Sequence, residues 1–267
     1  MEYTIVFLDQ TYCQNQDNSQ KTYHKRGTKN TIIKPTEKIS ISGVGIQAIN
    51  GNSFIGFLEN TKTYEMMKFM IKVVIKNLTN NKLINKLTKI INNKELEIEN
   101  ILNTVNTENN YNILLKTLED LAPINKTINE LYQYVKKNKY TIKTKSKIKL
   151  ENLQKTMLLS YFYDKKLQYE LIMEKPIAMI LDNYKVHHAI VFTKLCDILN
   201  IDLIYLPPYS PKHNPIEQVW RTIKARISRK YIDTIEDLID DFETEFYGCV
   251  DQPSFWKKWV KEILLGV

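Results

Sequence analysis

The sequence predicts an α/β fold, a sheet flanked by helices, and three observations carry that prediction. Two short apolar runs, residues 3–8 and 177–181, each lead into an aspartate, Asp9 and Asp182. Asn50-Gly51-Asn52 separates two further apolar runs, and from Tyr64 the text changes to a helical period. Short runs of β-branched and aromatic residues suit buried strands, whereas apolar residues recurring every three or four positions suit one face of a helix.

Taken in order, YTIVFL (residues 3–8) reads as a buried strand ending at Asp9, followed by polar, loop-like text to about Glu37. Residues 39–49 and 53–58 flank the Asn-Gly pair, the strongest short-range hairpin signal, so the last two of the first three strands are antiparallel. From Tyr64 onward Lys68, Lys72 and Lys76 recur every four residues with Met, Phe, Ile and Val between them, the pattern of an amphipathic helix. Beyond Lys76 come low-diversity Lys/Asn/Leu/Ile segments, broken near Asn92-Asn93, Asn109-Asn110 and Pro123, which predict three or four helices. Residues 136–149 carry seven lysines and no acid. Lys143, Lys145, Lys147 and Lys149 alternate there, which places them on one side of an extended segment. That segment is either a solvated basic loop or a contact that tracks DNA phosphates.

The strand pattern resumes at residues 177–181 and ends in Asp182. A helix over 188–199 and a strand over 202–206 follow, the latter stopped by Pro207-Pro208. Asn214-Pro215 then opens a helix through about Arg229, with Asn214 as N-cap and Pro215 at the first helical position. Two amphipathic helices, over 235–246 and 254–265, close the chain, and Trp256 and Trp259 pack the last one onto the core.

Bulk composition narrows the partners. The chain has 267 residues and a net charge of 38 − 30 = +8. Residues 76–150 alone hold 14 Lys against 7 acids, a local +7 that suits a polyanion, nucleic acid first. Cys13, Cys196 and Cys249 are odd in number and scattered, so they read as reduced thiols of a cytosolic protein. The short apolar run before Asp9 predicts no secretory signal, and no stretch nears the roughly 20 apolar residues of a membrane helix.

Two strand-end aspartates and a helical Glu217 form the candidate chemistry. Like charges brought together repel. Two divalent cations about 3.5–4 Å apart would offset them, activate a water and stabilise a leaving oxygen. Oxygen ligands without clustered Cys or His favour Mg²⁺ or Mn²⁺ over zinc. Each acid also has a plain structural reading. An Asp after a strand is often a turn former, as is Asp182-Asn183. Glu217 falls three residues after Asn214, the reciprocal position of a capping box.

The surrounding text favours the chemistry. Leu181-Asp182-Asn183-Tyr184-Lys185-Val186-His187-His188-Ala189 resembles the second-aspartate motif of the mariner superfamily of DDE transposases. YLPPYSPKHNPIEQVWRTIKARI (residues 205–227) resembles that superfamily's third motif still more closely, and 217 − 182 − 1 = 34 residues separate the two acids. Phe7-Leu8-Asp9-Gln10 fits the first-aspartate strand, although members often carry Glu where Gln10 stands. The resemblance spans roughly residues 1–75 and 176–230. It implies a ribonuclease H-like fold: a mixed five-stranded sheet with helices on both faces, Asp9 and Asp182 on adjacent strands, and Glu217 arriving from a helix. The expected division is a catalytic core of 1–75 plus 176–232, a basic helical insertion over 76–175, and packed C-terminal helices over 233–267.

By that resemblance two metal ions bridge Asp9, Asp182 and Glu217. Water cuts a phosphodiester at the element's end, and the freed 3′-hydroxyl attacks target DNA at a TA dinucleotide. Asn183 and His187 are candidates for supporting the acids or lining the DNA path; His187 also suits a helix start. Arg221, Lys224 and Ser228 follow Glu217 at helical spacing, and Arg221 and Lys224 are candidates for holding phosphates. Trp220 reads as packing. The implied partners are double-stranded DNA and a second copy of the chain, with no membrane and a cytoplasmic, nucleoid-associated location. Family members begin with helix-turn-helix modules, whereas this catalytic strand starts at Met1. That predicts half of a split frame, a truncated copy or an excised domain, with a separate helix-turn-helix chain as partner. The competing expectations are a non-catalytic DNA-binding regulator of transposition and a related nuclease without strand transfer.

Overall fold

The structure, a computed structural model, describes residues 2–15, 26, 35, 37–92, 98–143, 147–208, 210–250 and 252. Five strands form one sheet: β1 (Thr4–Gln14), β2 (Ser40–Ala48), β3 (Phe54–Phe57), β4 (Ile177–Leu181) and β5 (Ile201–Tyr205), in the order β3-β2-β1-β4-β5. β2 pairs antiparallel with both β1 and β3. The expected five-stranded sheet is present, and in it β1, which bears Asp9, lies beside β4, which leads into Asp182.

One expectation about β1 needs correcting. The strand does not end at Asp9 but runs on to Gln14, so Asp9 sits in mid-strand opposite Gly45. Residues 10–14 keep the alternation, with Thr11 and Cys13 buried and Tyr12 exposed. Polar residues on the buried face, Asp9 and Thr11, disguised the continuation.

The chain divides into two compact units. The sheet-and-helix unit comprises Thr4–Asn60, Met179–Asp182 and Ile204–Val267. Within it α9 (Ile216–Ile227) packs on β1 and β2, and α10 (Ile235–Val250) packs on α9, β2 and β3. These contacts bury Cys13, Ile41, Ile55, Ile216, Trp220 and Phe242 in one cluster. Phe57 meets Phe242 edge to face at 6.1 Å. Asn15 ties down the end of β1: its amide donates to the carbonyls of Glu37 and Ile232, both at 3.0 Å, and its Oδ1 accepts from Ile39 N–H at 3.1 Å. Helix α10 outruns the expected 235–246, and the expected helix over 254–265, with Trp256 and Trp259, lies outside the described residues.

The helical unit comprises Met1–Tyr3, Thr61–Ala178 and Asn183–Leu203. Its helices are α1 (Thr63–Asn77), α2 (Asn81–Asn92), α3 (Ile98–Val105), α4 (Glu108–Leu121), α5 (Lys126–Asn138), α6 (Lys147–Ser160), α7 (Lys165–Ile172) and α8 (Ile190–Ile198). Leucine and isoleucine at helical spacing supply the core, including Leu83, Leu87, Leu114, Leu118 and Leu131. The break expected at Asn109-Asn110 falls earlier, at Asn106-Thr107, and Pro123 lies in a 3₁₀ turn between α4 and α5. Asn125 caps α5 by accepting from Ile128 N–H, and Asp164 caps α7 by accepting from Lys166 N–H at 2.9 Å. The predicted helix over 188–199 divides into a 3₁₀ turn at Lys185–His188 and α8.

The alternating lysines are a second correction. Helix begins at Lys147, so Lys147 and Lys149 stand on its first turn and not on an extended segment. Two residues apart on a helix point about 200° apart, so the alternation does not gather them on one side. The buried spacing of Leu153 and Met157 extends helical order back into the basic run. Lys149 Nζ instead lies over the Tyr134 ring, 4.5 Å from its centre. Lys143 is exposed, and Lys145 lies outside the described residues. Among the described residues no helix is long and apolar enough to cross a membrane.

Candidate active site

Strand alternation decides where Asp9 points. Phe7, Asp9, Thr11 and Cys13 share one face of β1, opposite Gln47, Gly45, Gly43 and Ile41 of β2. That face carries α9, so a carboxylate is brought into an apolar layer. A bare carboxylate there is costly and must be hydrogen-bonded or offset by charge. Trp220, on α9, supplies one hydrogen bond: its indole Nε1–H donates to Asp9 Oδ2 at 3.0 Å.

The bond depends on a glycine across the strand. A Cβ at Gly45 would lie 2.5 Å from Trp220 Cη2, 2.8 Å from Cζ2 and 3.3 Å from Ile216 Cδ1. Only a residue without a side chain lets the indole lie flat over β2 and reach Asp9. Phe246 stacks on the far side of the indole, with ring centres 5.6 Å apart and planes 26° apart, and Phe242 stands 6.0 Å away.

The entry to α9 is built differently from the expected cap. Pro215 already has helical dihedrals (φ −64°, ψ −26°), and no side chain caps the helix. Asn214 turns inward, where its Nδ2 donates to Leu8 O at 3.0 Å and its Oδ1 has no hydrogen-bond partner among the described residues. Asn214 therefore fastens the start of α9 to the residue before Asp9. The capping-box reading of Glu217 loses its partner, and Glu217 stands half-buried on the first turn of α9.

Electrostatics gather the three acids. Asp9 has its pKa raised from the ordinary carboxylate range to about 7. Burial is the largest cause, followed by the negative charge of Glu217, and the charge of Asp182 adds to both. The Gln10 backbone N–H and the Trp220 indole pull the other way. No lysine or arginine figures among these influences. Asp182 itself is exposed, directly after β4, where Leu206 N–H donates to Leu181 O at 2.8 Å. The carboxylates share one electrostatic field without closing into a cage: among the described residues, no three His, Cys, Asp or Glu side chains are grouped to hold a metal ion. Hard oxygen donors of this kind suit Mg²⁺ or Mn²⁺.

The other candidates are spread over both units. Asn183 is exposed beside Asp182. His187, 1% exposed, belongs to the helical unit, with its ring 5.9 Å from that of Tyr184 and 5.8 Å from that of Phe192. On α9 the basic residues divide by face. Arg226 pairs with Glu245 of α10 at 2.8 Å, and Lys230, just beyond the end of α9, pairs with Asp241 at 2.7 Å. Arg221, exposed, and Lys224, half-buried, stand one and two turns beyond Glu217 on its own side. Sequence reasoning missed the parts played by Trp220, Gly45 and Asn214. The signal for one was there: an isolated glycine in a strand marks a close approach of another chain segment.

Over 59 residues the chain is 36% identical to the uncharacterised protein y4pE/y4sA of Sinorhizobium fredii, a match covering 22% of this chain and 42% of that protein. The chain thus matches under half the length of its curated relative. Among solved structures it is similar to the Mos1 strand transfer complex, at 11% identity and a TM-score of 0.48 over 96% of this chain and 50% of that one. It is similar also to the catalytic domain of Mos1 mariner transposase, at 11% identity and a TM-score of 0.40 over 97% and 81%. The fold assignment rests on the strand order above and not on these likenesses. Residues 147–239, which hold Asp182 and Glu217, match the DDE superfamily endonuclease family.

Proposed function

We propose that this chain is the catalytic part of a mariner-type DDE transposase, which cuts DNA phosphodiesters and joins the freed 3′ ends to target DNA. The observation that carries the proposal is the meeting of three acids far apart in sequence: Asp9 sits half-buried in mid-strand, and the negative charges of Glu217 and Asp182 both raise its pKa. The DDE superfamily endonuclease match over residues 147–239 supports the same reading.

Asp9, Asp182 and Glu217 are the residues that would hold Mg²⁺ or Mn²⁺. When bound, such ions offset the acids, activate a water for attack on a phosphodiester and stabilise the departing oxygen. The chain's own residues do the arranging. Trp220 and the Gln10 N–H hold the Asp9 carboxylate, and Asn214 fixes the start of the helix that delivers Glu217. Arg221 and Lys224 bind backbone phosphates beside Glu217, and Lys143, Lys147 and Lys149 give the helical unit a sequence-independent affinity for DNA. Asn183 flanks the scissile strand next to Asp182. Double-stranded DNA is the substrate, a second copy of the chain and a helix-turn-helix protein are partners, and the reaction belongs to the nucleoid.

The test is strand cleavage of supercoiled plasmid in Mg²⁺ or Mn²⁺, with Asp182→Asn as control. Metal-dependent nicking lost in the variant is the expected result, and joined products distinguish a transposase from a simple nuclease. DNA binding with steep salt dependence and no cleavage, even with an added helix-turn-helix partner, would favour a non-catalytic regulator.

A further inference from the structure

We propose that Trp220 is the positioning residue of Asp9: its indole N–H fixes which carboxylate oxygen Asp9 turns towards a divalent ion, and Gly45 is there to admit the ring. This rests on the catalytic reading above and goes beyond the three acids.

The argument begins with the carboxylate. Asp χ2 is a broad, soft torsion, so a lone Asp side chain does not choose an orientation. The Trp220 bond at 3.0 Å engages Oδ2, beside a hydrogen bond from the Gln10 backbone N–H to the same carboxylate. Indole is a donor only, so it can hold an anionic oxygen yet cannot take a coordination position from it. A Ser, Asn or His in its place would compete as an oxygen or nitrogen ligand.

Packing alone explains neither residue. Phe at position 220 would fill the same apolar cluster with no polar atom to satisfy. An ordinary strand residue at position 45 would avoid the cost of glycine in mid-strand. Instead the glycine stands at the one register position facing Asp9, and a Cβ there would meet the indole at 2.5 Å. Phe246 clamps the ring from the other side at 5.6 Å. The ring therefore has no freedom to swing away.

The placement on α9 adds a consequence. Glu217 and Trp220 are three residues apart on one helix. A single rigid element thus delivers one acid and orients another, and the relation of Asp9 to Glu217 is set by the backbone of α9.

The test uses the intact chain. Calorimetric Mg²⁺ binding is compared for wild type and Trp220→Phe, and the indole N–H of Trp220 is followed by ¹⁵N NMR. Trp220→Phe keeps an aromatic ring, though a smaller one, and removes the donor, so Mg²⁺ affinity falls about 10–100-fold, the usual range for a group that orients a metal ligand. In wild type the Trp220 indole resonance moves along the same saturation curve as the calorimetric signal, and in Asp9→Ala it is displaced before any metal is added. Unchanged affinity in Trp220→Phe, with wild type binding Mg²⁺, overturns this proposal and leaves the catalytic reading standing. A wild type that binds no Mg²⁺ overturns both. Should Trp220→Phe fail to fold, an indole resonance that stays still through the wild-type titration is the overturning result.

Discussion

The two units handle polar groups in opposite ways. In the helical unit charged side chains pair with one another at exposed or half-buried positions: Lys62 with Glu151, Lys86 with Asp164 at 3.0 Å, and Lys68 with Glu65 at 2.7 Å. Its interior is mostly aliphatic and aromatic, and the buried hydroxyls of Thr117, Thr156 and Ser160 donate to carbonyls of their own helices. In the sheet-and-helix unit Asp9, Gln47 and Asn214 are drawn under α9 or into the sheet, and each is expensive to keep there. Expensive groups retained in an interior point to a task beyond folding. The helical unit can vary its text widely while its period is kept; the other unit cannot.

Four experiments put that contrast at risk, in falling order of expected effect. The first removes the acids one at a time. Asp9→Asn, Asp182→Asn and Glu217→Gln each take metal-dependent plasmid nicking to background, read on agarose gels, while circular dichroism stays native. A glutamine at position 217 would still suit a helix start, so surviving activity in Glu217→Gln would return Glu217 to a structural role.

The second concerns pH. Asp9 ionises near pH 4 in the unfolded chain and at about 7 in the folded one. Between those values the unfolded chain has already lost a proton that the folded chain retains, so stability falls as pH rises through this window. The slope from this one group approaches about 1.4 kcal/mol per pH unit. Thermal melts from pH 4 to 8 without divalent ions should show this slope in wild type and lose it in Asp9→Asn. At pH 8, Mg²⁺ at a hundred times its dissociation constant should restore about 2.7 kcal/mol.

The third is Gly45→Ala. A Cβ placed 2.5 Å from Trp220 forces the ring or strand to move, at about 1–3 kcal/mol for an overpacked core. Tm should drop by several degrees, measured calorimetrically. A neutral result would mean that the indole has room to spare, and would weaken the account of Asp9 with it. The fourth touches the helical unit. Single Ala substitutions at Lys143, Lys147 and Lys149 should each weaken DNA binding alike for all sequences and lower the salt slope by about one. An effect confined to one DNA sequence would contradict a sequence-independent contact.

Some of this was legible beforehand, for identifiable reasons. The hairpin of β2 and β3 announced itself through Asn50-Gly51, and β4 through an apolar run too short for a helix. α1 followed from its period, and the helical breaks followed approximately from Asn and Pro. β1 was cut short because its second half buries Thr11 and Cys13 while exposing Tyr12, a pattern that polarity alone does not reveal. The alternating lysines misled because alternation signals a strand only where no helical period overlaps it, and α6 begins inside the run.

Asp182 and Glu217 were marked by the text around them, and the order of residues alone carried the fold class, the three candidate acids and the basic character of the helical region. These are properties of local pattern: period, turn chemistry and short motifs act between near neighbours. Folding itself settled the relations between residues far apart. Asp9 faces Gly45 through strand register, Trp220 reaches Asp9 across 211 positions, and Asn214 turns from capping its own helix to holding Leu8 across 206. No local rule encodes such choices, because each depends on which surface a neighbouring element happens to cover and on how much room a missing Cβ leaves.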